Sequence, residues 1–142
     1  MPITYTVESE RRLIFETWQG KVCAADVREY WFRCLEDSRF NAIRRLLVDM
    51  RGAEIQFSPD ELGQLMNEVV APYIRAHRWA IACVVDSRAQ FELSLQYQVF
   101  IKTYSRDQIF RDRNVALSWL SKQDLGAYIP DSLQLSQRTR GS

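Results

Sequence analysis

The feature that most constrains the fold is a run of seven apolar residues, Trp79 to Val85, with no polar side chain inside it. A shorter apolar run, Leu46 to Val48, precedes it and ends in Asp49. Uninterrupted runs of this length are typical of strands that are covered on both faces, as in parallel sheets. Because parallel strands are joined by a crossover, we expect a helix between the two runs. The pattern predicts an α/β protein built around two central strands.

Four segments repeat apolar residues with the period of helices that bury one face. We predict helices over about residues 24–37, 59–74, 88–104 and 113–121. The second begins with a strong signal, since Ser58 can serve as N-cap and Pro59 and Glu61 suit the first and third positions. Pro72 should kink or end this helix, because proline lacks a backbone N–H. On the last helix, the residues predicted to face inward are Val115, Ala116, Trp119 and Leu120.

The N-terminal segment has the alternating pattern of strands. Ile3, Tyr5 and Val7 alternate with polar residues, and Leu13 to Trp18 gives a second strand that completes a hairpin. A last short strand is predicted at Ile109 and Phe110. The order β-β-α-β-α-β-α-β-α predicts a mainly parallel sheet whose first strand is an antiparallel exception at one edge. We expect one domain over residues 1–123 and a partly disordered extension over 124–142.

Charge and cysteine usage exclude several classes of protein. Nineteen basic and eighteen acidic residues leave a net charge of +1, which removes the electrostatic argument for a dedicated nucleic-acid or anionic-membrane binder. The three cysteines form no close pair, so we predict neither a disulfide framework nor a zinc motif. We therefore expect a reducing, cytoplasmic setting. No apolar run approaches the length of a transmembrane helix, and no basic-then-apolar leader is visible.

The chain also lacks the sequence motifs of catalysis. Its single histidine, His77, lies in the stretch Arg75-Ala76-His77-Arg78, with no second imidazole or cysteine at ligand spacing. No nucleotide-binding glycine loop, nucleophile elbow or metalloprotease motif occurs. We therefore predict no catalytic residues, no metal ligands and no cofactor, and a protein that is not an enzyme.

One polar group is placed where α/β proteins usually bind ligands, at the carboxyl ends of the strands. Asp49 and Asp86 follow the two apolar runs, and Arg51 and Arg88 stand two residues beyond them. Together with Ser87 they form a candidate rim for a ligand or partner. The simpler alternative is that the aspartates cap loops or pair with the arginines, and the sequence favours that alternative.

The predicted third helix has two apolar sides. The wider side, predicted to face the sheet, consists of Leu93, Tyr97, Phe100, Ile101 and Tyr104. The other consists of Phe91, Leu95 and Val99, next to Gln98 and Lys102. Something should cover these three side chains, and we favour a two-fold homodimer. The alternative cover is the C-terminal segment, through Leu125, Tyr128, Ile129, Leu133 and Leu135.

Two stretches resemble known families. Leu46 to Gly52, followed by Ser58 at a helix start, resembles the anti-sigma-factor antagonist domain, also called STAS. The ending Ile109 to Asp112, followed by Ala116, Trp119 and Leu120, is similar to the SpoIIAA-like bacterial family, which is itself likened to the lipid-exchanging CRAL-TRIO domains. The resemblance covers about residues 3–121. It implies a β-α superhelical domain with successive strands adjacent and four helices mainly on one face.

The resemblance also suggests functions. In the antagonist family a serine at the matching helix start is phosphorylated, but its surroundings differ here, so Ser58 is interpreted as an N-cap only. Our leading hypothesis is a non-catalytic, cytoplasmic bacterial domain for protein–protein interaction that self-associates and has a regulatory role. The alternative is a carrier or sensor of a small apolar ligand, such as a fatty acid or lipid.

Overall fold

The computed structural model describes residues 1–75, 78–102 and 105–123. Within them the strands are β1 (Ile3–Glu8), β2 (Leu13–Trp18), β3 (Lys21–Val22), β4 (Arg45–Asp49), β5 (Glu54–Ile55), β6 (Trp79–Val84) and β7 (Ser105–Phe110). The helices are α1 (Ala24–Leu35), α2 (Ser38–Ala42), α3 (Pro59–Leu65), α4 (Ala71–Arg75), α5 (Arg88–Ile101) and α6 (Arg113–Ser121). A π-helical turn over Met66–Val70 joins α3 to α4 without a break.

Five strands form the main sheet in the order β1-β2-β4-β6-β7. The β1–β2 pair is antiparallel, and every other neighbouring pair is parallel. Successive main strands are therefore adjacent, as the resemblance to the SpoIIAA-like family implied. The short strands β3 and β5 pair separately and in parallel, close to where the sheet's carboxyl ends lie. This topology brings the loops after β4 and β6 side by side.

The helices cover the two faces of the sheet unequally. On the larger face α1, the α3–α4 segment and α5 enclose a core that includes Ile14, Leu46 and Ile81. On the other face α6 alone packs over Leu47, Ala80 and the alternate residues of β6. We call these the three-helix face and the α6 face. The predicted placement of helices mainly on one face is confirmed.

The π-helical turn explains how the helix accommodates Pro72. Pro72 lies seven residues after buried Leu65, so an uninterrupted α-helix would place it on the same buried side. In the wider turn the Ala71 N–H donates to the Met66 carbonyl, five residues back. The extra residue rotates the next part of the helix by about 100°, so that Ala71 and Ile74 are buried and Pro72 is exposed. The helix therefore continues past the proline instead of ending there.

Several predicted details were wrong. The short strand expected at Ile109 begins at Ser105, because an edge strand can expose alternate polar residues such as Arg106 and Gln108. Val115 is 55% exposed rather than inward, since α6 buries the line through Ala116 and Leu120. The sequence also did not indicate α2 or the β3–β5 pair, which are five residues and two residues per strand long.

Other bounds differ by a few residues. The first helix ends at Leu35 rather than near residue 37, and α5 ends at Ile101. Predictions for His77, Tyr104 and the 124–142 extension fall outside the described residues. Ser58 is the N-cap of α3, as predicted: its Oγ accepts from the Glu61 N–H, and the Glu61 carboxylate accepts from the Ser58 N–H.

Candidate functional site

The first half of the predicted rim is a buried ion-pair centre on Asp49, the last residue of β4. Asp49 Oδ1 accepts from Arg51 Nε at 3.0 Å, and Oδ2 accepts from Arg51 Nη2 at 2.9 Å and from Arg113 Nη1 at 3.0 Å. Burial raises the pKa of Asp49, but hydrogen bonds from the two arginines outweigh it and hold the pKa below its ordinary value. Arg113 opens α6, so this carboxylate ties the helix start to the sheet.

The second half of the rim is a loop junction around Asp86. Both carboxylate oxygens of Asp86 accept from the Gly52 N–H, at 3.1 and 3.2 Å. Gly52 has a φ of +82°, a conformation that favours glycine. Ser87 caps α5 by accepting from the Gln90 N–H. Arg88 bonds with Glu92 rather than with Asp86, and its side chain is 91% exposed.

The rim residues thus lie on adjacent loops, as predicted, but their polar atoms are largely used within the chain. Buried Gln90 completes the junction: its side chain accepts from the Asp86 N–H at 2.8 Å and donates to the Ala53 carbonyl at 2.8 Å. The geometry matches the simpler alternative, in which the aspartates pair with an arginine or cap a loop. Binding of a ligand or partner at this rim stays a prediction.

The outer side of α5 is an exposed apolar stripe. Phe91, Leu95 and Val99 recur every four residues and are 43%, 43% and 68% exposed. On the inner side Leu93 and Ile101 are buried, and two half-buried rings, Tyr97 and Phe100, contact the core. The predicted division of this helix into two sides is confirmed for the residues that the structure describes. Self-association through the stripe stays a prediction.

A cavity of about 50 Å³ lies inside the three-helix face, between the sheet and the helices. Its walls come from β2, β4 and β6 below, and from α1, the α3–α4 segment and α5 above. Nearly all lining side chains are buried, whereas Phe57 and Tyr97 are half-buried and mark where the cavity comes nearest to solvent. Most lining side chains are apolar, and the exceptions include Glu16, Ser94 and Tyr97.

Glu16 is an acid inside this apolar core. Its residue is 5% exposed, and its Oε2 accepts from the Trp18 indole N–H at 2.7 Å. Its Oε1 has no hydrogen-bond partner in the described part of the chain. Burial raises the pKa of Glu16 to about 7, and the nearby Tyr30 hydroxyl and Trp18 offset only part of that rise. A buried carboxyl group beside a cavity, with its pKa raised by burial, marks a candidate functional site.

Glu16 was not predicted as a site residue from the sequence, although a signal was present. Strand side chains alternate between faces, so Glu16 shares a face with Ile14 and Trp18. A carboxylate between two large apolar residues on the same side of a strand is expected either to remain exposed to solvent or to be buried because it has a function. Only the packing of α1 and α5 over β2 decides that it is buried.

Metal and membrane-spanning features are not found in the described residues. These residues contain no group of three or more His, Cys, Asp or Glu side chains arranged to hold a metal ion. Cys23, Cys34 and Cys83 are unpaired, and the latter two are buried. None of the helices over residues 1–75, 78–102 and 105–123 combines the length and apolar character needed to cross a membrane.

Comparison with known proteins supports the fold. No protein-family model and no curated protein matches this chain. A solved structure of an uncharacterised DUF3478-family protein with a SpoIIAA-like fold, from Shewanella loihica PV-4, is similar with a TM-score of 0.53. The match covers 83% of this chain and 91% of that chain at 18% identity. The chain therefore has a SpoIIAA-like α/β fold, as the residues around Asp49 and Phe110 suggested.

Proposed function

We propose that this SpoIIAA-like chain is a non-catalytic protein-interaction domain that self-associates into a homodimer through the outer side of α5. The observation that carries the proposal is the exposed stripe of Phe91, Leu95 and Val99. The fold supports an interaction role, since the antagonist domains that it resembles act by binding other proteins. A regulatory role in the bacterial cytoplasm is part of the same proposal.

The physical argument is the free energy of burying the stripe. Fully burying one side chain of this size is worth about 1.5–3 kcal/mol relative to exposure. Three large apolar side chains on adjacent turns would gain this together if a second copy covered them. They do not suffice alone, because a stable interface needs about 800 Å² per partner. In a two-fold dimer each α5 would cross its copy, and neighbouring surface would supply the remaining area.

The proposal of a non-catalytic role rests on the polar side chains at the strand ends. Asp49 is held by Arg51 and Arg113, and Asp86 is held by the Gly52 N–H. Among the described residues, neither carboxylate is paired with a nucleophile or a second acid in an open cleft. In this arrangement the aspartates support the loops rather than transfer protons.

Light scattering on the purified chain tests self-association. We expect the wild type to be dimeric, and the double substitution Leu95→Arg with Val99→Arg to be monomeric and folded. The matched control is Phe32→Arg, because Phe32 is 52% exposed on α1, away from the stripe. That variant should remain dimeric. A chain truncated after Lys122 tests the alternative, in which the C-terminal segment covers the stripe. If the wild type is monomeric and the truncation destabilises it, the C-terminal segment is the cover and the dimer proposal is wrong.

The rim can be tested separately as a ligand or partner contact. Asp49→Asn with Asp86→Asn should lower the melting shift given by any ligand or partner that binds at the strand ends. Glu10→Asn, in the exposed β1–β2 turn, provides a control that changes charge elsewhere. Equal melting shifts in the wild type and the double variant would exclude the rim.

The second candidate function is binding of a small apolar ligand, which the cavity in the three-helix face favours. Its volume of about 50 Å³ is roughly a third of the ~150 Å³ that holds a benzene molecule. A fatty acid would enter only if the helices moved apart. This mismatch ranks the carrier second to the interaction domain, and it narrows the kind of ligand to consider.

A further inference from the structure

We propose that the cavity beside Glu16 binds a small aliphatic amine, as its ammonium ion, with roughly three to five heavy atoms. The inference rests on the second candidate function and narrows it to one ligand class. It does not depend on self-association, because the stripe on α5 and the cavity lie on opposite sides of that helix.

The size of the occupant follows from the volume. A single water needs about 10–15 Å³ of such space, and a benzene-sized molecule needs about 150 Å³. The cavity, at about 50 Å³, lies between these limits. It has room for a short alkyl group with one polar head. The apolar walls, including Leu65 and Ile81, suit the alkyl part.

The charge of the occupant follows from Glu16. Buried carboxylates are normally paired with a cation or fully hydrogen-bonded, because an isolated buried charge is costly. Glu16 Oε2 accepts from the Trp18 indole, and the Tyr30 hydroxyl lies near enough to lower the pKa of the carboxyl group, but both of these donors are neutral. No Lys, Arg or His of the described residues lines the cavity. One ammonium group can therefore supply the missing counter-charge.

A second polar side chain of the lining, Ser94, also suits an ammonium group. Ser94 lines the cavity and donates its hydroxyl proton to the Gln90 carbonyl at 2.9 Å. Its lone pairs remain able to accept a hydrogen bond from a second N–H. An ammonium has three donors and no acceptor, whereas a carboxylate ligand would meet Glu16 as a like charge. The site thus discriminates against a buried fatty-acid head group.

Proton release is the expected signature of this binding. The pKa of Glu16 is about 7, and an adjacent ammonium would lower it. Binding must then displace a proton below pH 7, which weakens affinity about tenfold for each pH unit. The groups that face Glu16 and share this region are Tyr30 and Cys34 from α1, Cys83 from β6, Tyr97 from α5 and Asp107 from β7. Their pKa values are all raised, and only that of Asp107, about 6, lies near this range.

The test is a titration followed by the NMR signal of the Trp18 indole N–H, assigned by its loss in Trp18→Phe. At pH 8, n-propylammonium chloride should shift the signal saturably with a millimolar Kd. We expect 1-propanol and sodium propionate to bind at least tenfold more weakly. Lowering the pH from 7 to 6 should weaken propylammonium binding about fivefold, because half of the Glu16 carboxyl groups are already protonated at pH 7.

Three variants locate the binding. Glu16→Gln should weaken propylammonium binding at least tenfold, and Glu10→Gln, an exposed carboxylate, should leave it unchanged. Val48→Ile adds one methyl group to the cavity wall and should weaken binding without changing charge.

Each alternative outcome has a definite meaning. Equal binding of 1-propanol, or binding that survives Glu16→Gln, would overturn the amine inference while leaving the small-ligand function in place. If propylammonium, 1-propanol, propionate and a longer fatty acid all fail to bind, both the amine inference and the small-ligand function are wrong. Neither result would alter the dimer proposal, which is read from light scattering.

Discussion

Strand β6 presents side chains of different size to the two faces of the sheet. Trp79, Ile81 and Cys83 point to the three-helix face, and the alternate residues Ala80, Ala82 and Val84 point to the α6 face. Large side chains hold three helices away from the sheet and leave a cavity among them. Small side chains let one helix approach closely. The same apolar run thus specifies a thick core on the three-helix face, which is the thick face, and a thin core on the α6 face, which is the thin face.

The thick face is also the aromatic one. Trp31, Phe40 and Tyr73 form a connected cluster with Trp79, with ring centroids 5.6–6.4 Å apart. On the thin face a single ring pair, Phe110 with Trp119, is described at 5.7 Å. Stability should therefore depend more on the three-helix face.

The greatest loss of stability should come from removing Trp79, which is fully buried in the aromatic cluster. Trp79→Ala should lower the free energy of unfolding by about 3–5 kcal/mol, because it leaves a large cavity. Urea denaturation measures the change. The matched variant on the thin face is Trp119→Ala, which removes a half-buried ring and should cost less than half as much. Equal losses would contradict the difference between the faces.

The next effect is a pH dependence confined to the thick face. The pKa of Glu16 is about 7 in the folded chain against an ordinary value of 4.5, so the folded state binds its proton more tightly than the unfolded state does. The stabilisation is complete below about pH 4.5 and is lost as pH rises through 7, a change of about 3 kcal/mol in the free energy of unfolding. Urea unfolding between pH 4 and 8 measures it.

Glu16→Gln isolates this contribution from other titrating groups. Burial also raises the pKa of Asp107, to about 6, so the wild type alone would report both acids. The free energy of unfolding of Glu16→Gln should increase relative to that of the wild type as pH rises from 4.5 to 7. A difference that stays constant over this range would show that Glu16 does not titrate in the folded chain.

A smaller effect tests the close approach of α6. Ala82→Leu should lower the free energy of unfolding by about 1–3 kcal/mol, although it adds apolar surface, because buried Ala116 and Leu120 leave no room. The same change at exposed Ala89, on α5, should stay within about 0.5 kcal/mol. Thermal unfolding of both variants measures the contrast. A stable Ala82→Leu would mean that the thin face has space after all.

The weakest effect has the opposite sign. Val48→Ile places one more methyl group in the cavity of the thick face and should raise the free energy of unfolding by about 0.5–1 kcal/mol. Calorimetry can resolve a change of this size. A destabilised variant would show that the cavity is shaped too tightly for a branched side chain to extend into it.

The sequence predicted the elements that large apolar patterns specify. The runs at Leu46 and Trp79 gave the central strands, and the spacing of Leu93 and Ile101 against Leu95 and Val99 gave the two sides of α5. The SpoIIAA-like fold is confirmed by the similarity to a solved structure that has this fold. These features depend on period and composition, which a single sequence displays directly.

The features that the sequence did not predict depend on tertiary contacts. The first half of β7 is polar, and it is a strand because its backbone pairs with Trp79 to Ala82. The burial of Glu16 could not be predicted from the pattern of β2, because it depends on helices that come later in the chain. At the rim, the residues were predicted correctly as neighbours, but the link from Asp49 to Arg113 joins positions 64 residues apart.

The π-helical turn at Met66–Val70 has a consequence for how the length of this chain can change. The turn contains one residue more than the α-helix on either side requires, and that residue is an insertion that keeps Ala71 and Ile74 on the buried side. Deleting exposed Asn67 would convert the turn to ordinary α-helix and keep the same residues buried on both sides of it. The deletion would also bring the Pro72 ring against the carbonyl four residues before it. The deletion and the proline are thus coupled: a homologue one residue shorter here should carry a different residue in place of Pro72.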